Sequence, residues 1–247
     1  MNLVDPLGEK YYDVSPYAYC KNSPIYRLDH DGLDDYRYDD QTGQFHLMEL
    51  TDDKTDRVLG YHINKQTGQY EKNTKWYQTK IRMNGIEKGI LKDGIDFMNN
   101  NNIIAVGGEN EASVNGVEAF VVNLSDMVGK EIGGAYCSKD GAGPITHITL
   151  GSYKRNSHKI NKGGHGHILW NRVFPDSNIK NSLIGFFHTH PSDIGISVSD
   201  RTQPSDQDKY SRDAALKMMP SLQFYILTHP IHYDDDSPLV IPYTTWF

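Results

Sequence analysis

Residues 185–191 read Gly-Phe-Phe-His-Thr-His-Pro, and residues 204–208 read Pro-Ser-Asp-Gln-Asp. An apolar run therefore closes on two histidines spaced i, i+2. On a β-strand such positions face the same way, so both imidazoles can address one metal ion. A carboxylate arriving from a following helix can add a third ligand. Three protein ligands with an open fourth position for water are the composition of a catalytic zinc site rather than a closed structural one. His188 and His190 are the expected metal ligands, and Asp208, three residues after Ser205, is the expected third. A single histidine in such a run is most often an ordinary core or edge residue. Two at the mouth of a buried strand differ, because an unpaired buried imidazole is costly.

The chemistry needs two further parts. Zinc brings the pKa of bound water toward ~7. A carboxylate must then move the water proton to the leaving group, and a hydroxyl or backbone donor must stabilise the oxyanion. Glu131, opening the segment Glu131-Ile132-Gly133-Gly134-Ala135-Tyr136, is the candidate general base, with Glu118 as its rival. Ser205 is the candidate oxyanion donor and equally suits the N-cap of the helix that follows it. For the third ligand, Asp200 in Ser197-Val198-Ser199-Asp200 competes with Asp208, and Asp206 stays open. A second His-x-His, His165-Gly166-His167, follows glycines rather than an apolar strand and reads as a loop. The His229–Asp236 stretch reads as a solvated turn.

The order His-x-His-Pro then Ser-x-x-Asp resembles the JAB/MPN (JAMM) metallopeptidase motif. Pro204 precedes the serine as in that family, and Glu131 with Gly134 matches its catalytic Glu-x-x-Gly, with Tyr136 at a normally apolar place. Seventeen residues separate His190 from Asp208, more than the family's usual spacing, whereas nine separate His190 from Asp200. The resemblance implies an α+β fold, a mixed β-sheet flanked by helices in cytidine-deaminase-like layering. It also implies a Zn2+ cofactor and hydrolysis of a peptide or isopeptide bond in a protein substrate. Residues 1–33, with Asp5-Pro6-Leu7-Gly8-Glu9-Lys10-Tyr11-Tyr12, Ser15-Pro16-Tyr17-Ala18-Tyr19-Cys20-Lys21-Asn22-Ser23-Pro24 and Asp29-His30-Asp31-Gly32, resemble the end of an Rhs/YD-repeat core; His30 stands where that family has proline. The pairing looks like the JAB-like toxin type of polymorphic toxin. By analogy that implies a bacterial secreted effector acting in the cytoplasm of a target cell, with a cognate immunity protein. Two other classes fit less: an MPN-type binding scaffold without catalysis, and a metal-dependent nuclease toxin.

These residues must be positioned by the rest of the chain. At 247 residues, 37% hydrophobic and 23% charged, it can bury a core, and the mean hydropathy of −0.62 marks a soluble protein. A net charge of −7 argues against nucleic acid as the main partner, since phosphate binding calls for clustered Lys and Arg. The one basic cluster, Lys154 to Lys162, reads as a solvated loop. No apolar segment nears the roughly 18 residues of a membrane span. The start, Met1-Asn2-Leu3-Val4-Asp5-Pro6, lacks the basic and apolar regions of a signal peptide. Cys20 and Cys137 show no metal or disulfide spacing.

Three regions are expected: the Rhs-like remnant 1–33, a β-hairpin region with a linker helix 34–102, and the catalytic domain 103–247. Gln41-Thr42-Gly43-Gln44 and Gln66-Thr67-Gly68-Gln69 form a weak repeat at hairpin turns of a small antiparallel sheet. Residues 79–100 read as a broken helix weakened by Gly85, Gly89 and Gly94, and Asn99–Asn102 as a linker. In the last region strands are expected at 117–123, 132–138, 145–151, 183–187, 222–228 and 239–243, with helices near 166–173 and at 206–218.

Overall fold

The computed structural model describes residues 33–51, 54–75, 78–79, 81–139, 141, 143–153, 182–192, 197–229 and 237–245. The segment up to residue 32 read as an Rhs remnant, the second His-x-His, the helix expected near 166–173 and the basic cluster Lys154 to Lys162 lie outside these residues. Among them the chain forms an α+β fold with mixed sheets.

The first sheet has strands β1 (Leu33–Tyr38), β2 (Phe45–Thr51), β3 (Asp56–Leu59) and β6 (Ile81–Ile86), in the order β2-β1-β3-β6. It is mixed rather than antiparallel, because β1 runs parallel to β3. Strands β4 (Tyr61–Ile63) and β5 (Tyr70–Lys72) make a separate hairpin. Both repeat segments are hairpin turns built alike. Asp39 Oδ1 accepts from the backbone N–H groups of Gln41 and Thr42 at 2.8 and 3.3 Å, and Asn64 Oδ1 from those of Gln66 and Thr67 at the same two distances. Gly43 and Gly68 take the left-handed conformation that closes each turn. The broken helix expected over 79–100 is not formed: β6 occupies its start, and turns follow. The glycines that would have weakened a helix bend the chain instead, with positive φ at all three.

The second sheet carries six strands in the order β12-β11-β10-β8-β9-β7. These are β7 (Asn102–Ala105), β8 (Gly133–Cys137), β9 (His147–Leu150), β10 (Leu183–Thr189), β11 (Gln223–Thr228) and β12 (Leu239–Pro242). Only β10 and β11 pair in parallel. Five of these strands match the expected segments; β7 grows from what reads as a linker.

The segment expected as a strand at 117–123 is instead helix α1 (Val114–Val128). Its buried side chains Val117, Phe120, Val121 and Leu124 recur at helical spacing. The Ser113 hydroxyl caps its first turn by accepting from Gly116 N–H, and Gly129 ends it in a left-handed cap. A short helix α2 (Val198–Arg201) precedes α3 (Asp206–Met218), which has the expected bounds.

The period of two along β10 sorts its side chains to two faces. Phe187 joins a core with Phe120, Val121 and Leu124 of α1, while Phe186 joins a core with Ala215 of α3. The α1 core continues into the first sheet. Phe45, Phe97 and Phe120 meet with ring centroids 5.2–6.2 Å apart, so residues on either side of position 102 share one apolar cluster.

Candidate metal centre

By the same alternation, His188 and His190 point to the α3 side of the sheet and Thr189 to the α1 side. The two imidazoles converge there, His188 Nε2 lying 3.0 Å from His190 Nε2. Asp208, on the first turn of α3, brings Oδ2 to 3.5 Å from His188 Nε2. The three ligand atoms all lie within 4.8 Å of one another. A tetrahedral ion with ligand bonds of about 2.0–2.1 Å needs donors roughly 3.3 Å apart, and the separations of 3.0 and 3.5 Å bracket that figure.

The surroundings fix the donors. His190 Nδ1 sits 2.8 Å from the Arg201 backbone carbonyl. A carbonyl can only accept, so Nδ1 carries the proton and the neutral ring's Nε2 keeps its lone pair toward the site. Burial, and then the His188 ring, push the His190 pKa below its ordinary value against the charges of Glu131 and Asp208, favouring that neutral ring. Burial alone would raise the Asp208 carboxyl. The His188 hydrogen bond and charge, followed by the Ser205 hydrogen bonds, outweigh it and hold the group well below the usual carboxylate range. Asp208 is thereby favoured as the anion.

Ser205 and Asp208 form a reciprocal capping box. Asp208 Oδ2 accepts from the Ser205 backbone N–H at 2.8 Å and from its hydroxyl at 2.7 Å, and Asp208 N–H donates back to Ser205 Oγ at 3.2 Å. One device starts the helix and aims its carboxylate. The Tyr243 ring packs edge-on against His188, centroids 5.8 Å apart. The Arg212 guanidinium, one turn along α3, donates to the Tyr243 carbonyl at 2.9 Å. The helix bearing Asp208 is thereby tied to the chain leaving β12.

Glu131 lies two residues before the neighbouring strand, β8. In the antiparallel β10–β8 pair His188 is opposite Gly133. The ladder ends there; carrying its alternation two residues further puts Glu131 on the α3 face, and its charge acts on the His190 imidazole. Glu118 is elsewhere: it is buried on α1, accepts the Tyr136 hydroxyl at 2.5 Å, and has its pKa raised by burial. Asp206, at the start of α3, engages Lys209 at 3.5 Å. Asp200 lies in α2, its side chain outside the described residues.

Reasoning from sequence missed three supports of the site. The Arg201 carbonyl lies in the stretch between the two halves of the motif and Tyr243 lies 35 residues after Asp208; neither carries a signal in the motif itself. The third is a polar pin beside the histidine strand, where Asp126 of α1 accepts Ser192 N–H and Oγ–H at 2.7 and 2.5 Å and faces His229 Nε2 at 3.1 Å. No family model matches this chain, and no curated protein matches it either.

Proposed function

We propose that this chain is a zinc-dependent hydrolase of peptide or isopeptide bonds, organised as a JAB/MPN-like metallopeptidase domain. The observation that carries the proposal is the meeting of His188, His190 and Asp208 at one end of the six-stranded sheet, with Glu131 on the same face. The donor set suits zinc: two imidazole nitrogens and one carboxylate oxygen, with His190 oriented by the Arg201 carbonyl and Asp208 by Ser205. Bound there, zinc would supply Lewis acidity and lower the pKa of water at the open position. Glu131 accepts the proton of the attacking water and delivers it to the leaving nitrogen. Ser205 aims Asp208 through its hydroxyl; to act as the oxyanion donor it must exchange that bond for one to the substrate.

With the Rhs-like segment 1–33, the reading extends to a toxin-type effector that cuts a protein in a target cell and has an immunity partner. A mixture of quenched-fluorescent peptides and lysine ε-amide-linked substrates tests the reaction class. The wild type should cleave at least one of them, and His190→Ala and Glu131→Gln should not. Cleavage of plasmid or transfer RNA that is lost in His190→Ala would replace the peptidase with a nuclease. Metal-free, inactive protein unaffected by either substitution would leave a binding scaffold.

A further inference from the structure

The peptide groups on either side of Glu131 are tied by a single chain of hydroxyls. The Ile132 backbone N–H donates to Thr189 Oγ1 at 2.8 Å. The Thr189 hydroxyl donates to Ser125 Oγ at 2.6 Å, and the Ser125 hydroxyl donates to the Lys130 carbonyl at 2.5 Å. Lys130 C=O belongs to the peptide entering Glu131, and Ile132 N–H to the peptide leaving it. Thr189 N–H also donates to the Ile132 carbonyl at 3.0 Å, and Lys130 N–H to the Ser125 carbonyl at 3.0 Å. Thr189 and Ser125 are 1% and 0% exposed, so water does not substitute for these bonds.

Thr189 lies between the two histidines and faces away from them, toward α1. It therefore cannot ligate the ion. Its hydroxyl is spent on the segment that presents Glu131. Ser125, on the last turns of α1, closes the loop from the other side. The residue that fixes the pleat of the histidine strand is thus the one that fixes both torsion angles flanking the carboxylate. An unsatisfied buried N–H or C=O is costly, so the chain of bonds has one stable arrangement.

We infer that Thr189 and Ser125 are positioning residues that lock Glu131 in register with the histidine pair, so that base and metal ligands move as one body. This inference rests on the hydrolase reading above. It concerns the backbone of residues 130–132 and not the ligands themselves, and therefore separates metal binding from turnover.

The test uses the full chain loaded with cobalt(II), whose visible absorption reports on groups bonded at the open coordination position. It compares wild type, Glu131→Gln, Thr189→Val, Thr189→Ser and Ser125→Ala. Thr189→Val should bind cobalt as tightly as wild type, yet give the spectrum of Glu131→Gln. Its kcat on the best peptide probe should fall ~10- to 100-fold at a KM within about twofold, the scale of a small misplacement of a reacting group. Thr189→Ser keeps the hydroxyl and should restore both readouts. Ser125→Ala cuts the same chain at its second link and serves if Thr189→Val does not fold. Cobalt binding with a wild-type spectrum and kcat in Thr189→Val or Ser125→Ala overturns the positioning role and leaves the hydrolase standing. Failure of the wild type to bind cobalt overturns the hydrolase, and this inference with it.

Discussion

Exchanging one carboxylate oxygen at position 131 for an amide separates holding a metal from using it. Glu131→Gln should retain zinc and lose at least ~100-fold in hydrolysis, the scale of general-base loss; steady-state kinetics beside metal analysis checks this, and full activity would remove Glu131 from the reaction. Glu118 should behave differently. Burial holds its carboxyl above the ordinary value, against the Tyr136 hydroxyl. A raised folded-state pKa means the folded chain keeps this proton at pH values where the unfolded chain has lost it. The contribution to stability is therefore complete below about pH 4 and is lost as pH rises through the folded value. Glu118→Gln should keep activity, and its Tm should fall less than the wild type's between about pH 4 and about pH 7 in calorimetry. An identical pH dependence would contradict the assignment. At this scale the histidine pair was legible because strand geometry ties i to i+2. The Thr189–Ser125 contact was not, since its partners are 64 positions apart.

At the scale of elements, α3 does two tasks with one cap. Ser205→Ala removes the hydroxyl that both starts the helix and aims Asp208. Stability should fall by about 1 kcal/mol, the usual loss of an N-cap, and zinc affinity by ~10-fold, as for other groups that orient a ligand. Urea denaturation and competition with a chelator measure the two losses; undiminished zinc affinity would show that the cap does not orient the ligand. Both ends of α3 could be read in advance, because Ser205 with Asp208 three residues on is a local signal and Ala214, Ala215 and Leu216 favour helix. Helix α1 could not: Val117-Glu118-Ala119-Phe120-Val121-Val122 is dense in β-branched and aromatic residues. Its helical state is set by burial between the sheets and by its two caps. The segment 79–100 failed for the opposite reason. Its apolar spacing looked partly helical, while its glycines were bends.

For the whole molecule, the shared aromatic cluster makes the first sheet part of the support beneath the candidate metal centre. Phe120 is 1% exposed and touches Phe45 and Phe97 from the other side of position 102. Phe120→Ala should cost about 3–5 kcal/mol and lower one calorimetric transition for the described core. Two separate transitions, with only one displaced, would mean that the sheets unfold independently. The central claim is the metal itself. Atomic spectroscopy on the purified chain, after exhaustive dialysis, should find about one zinc per wild-type chain, as a preformed three-ligand site requires. The His188→Ala/His190→Ala chain should retain less than ~0.1. Equal zinc in the two proteins, or none in either, would contradict it.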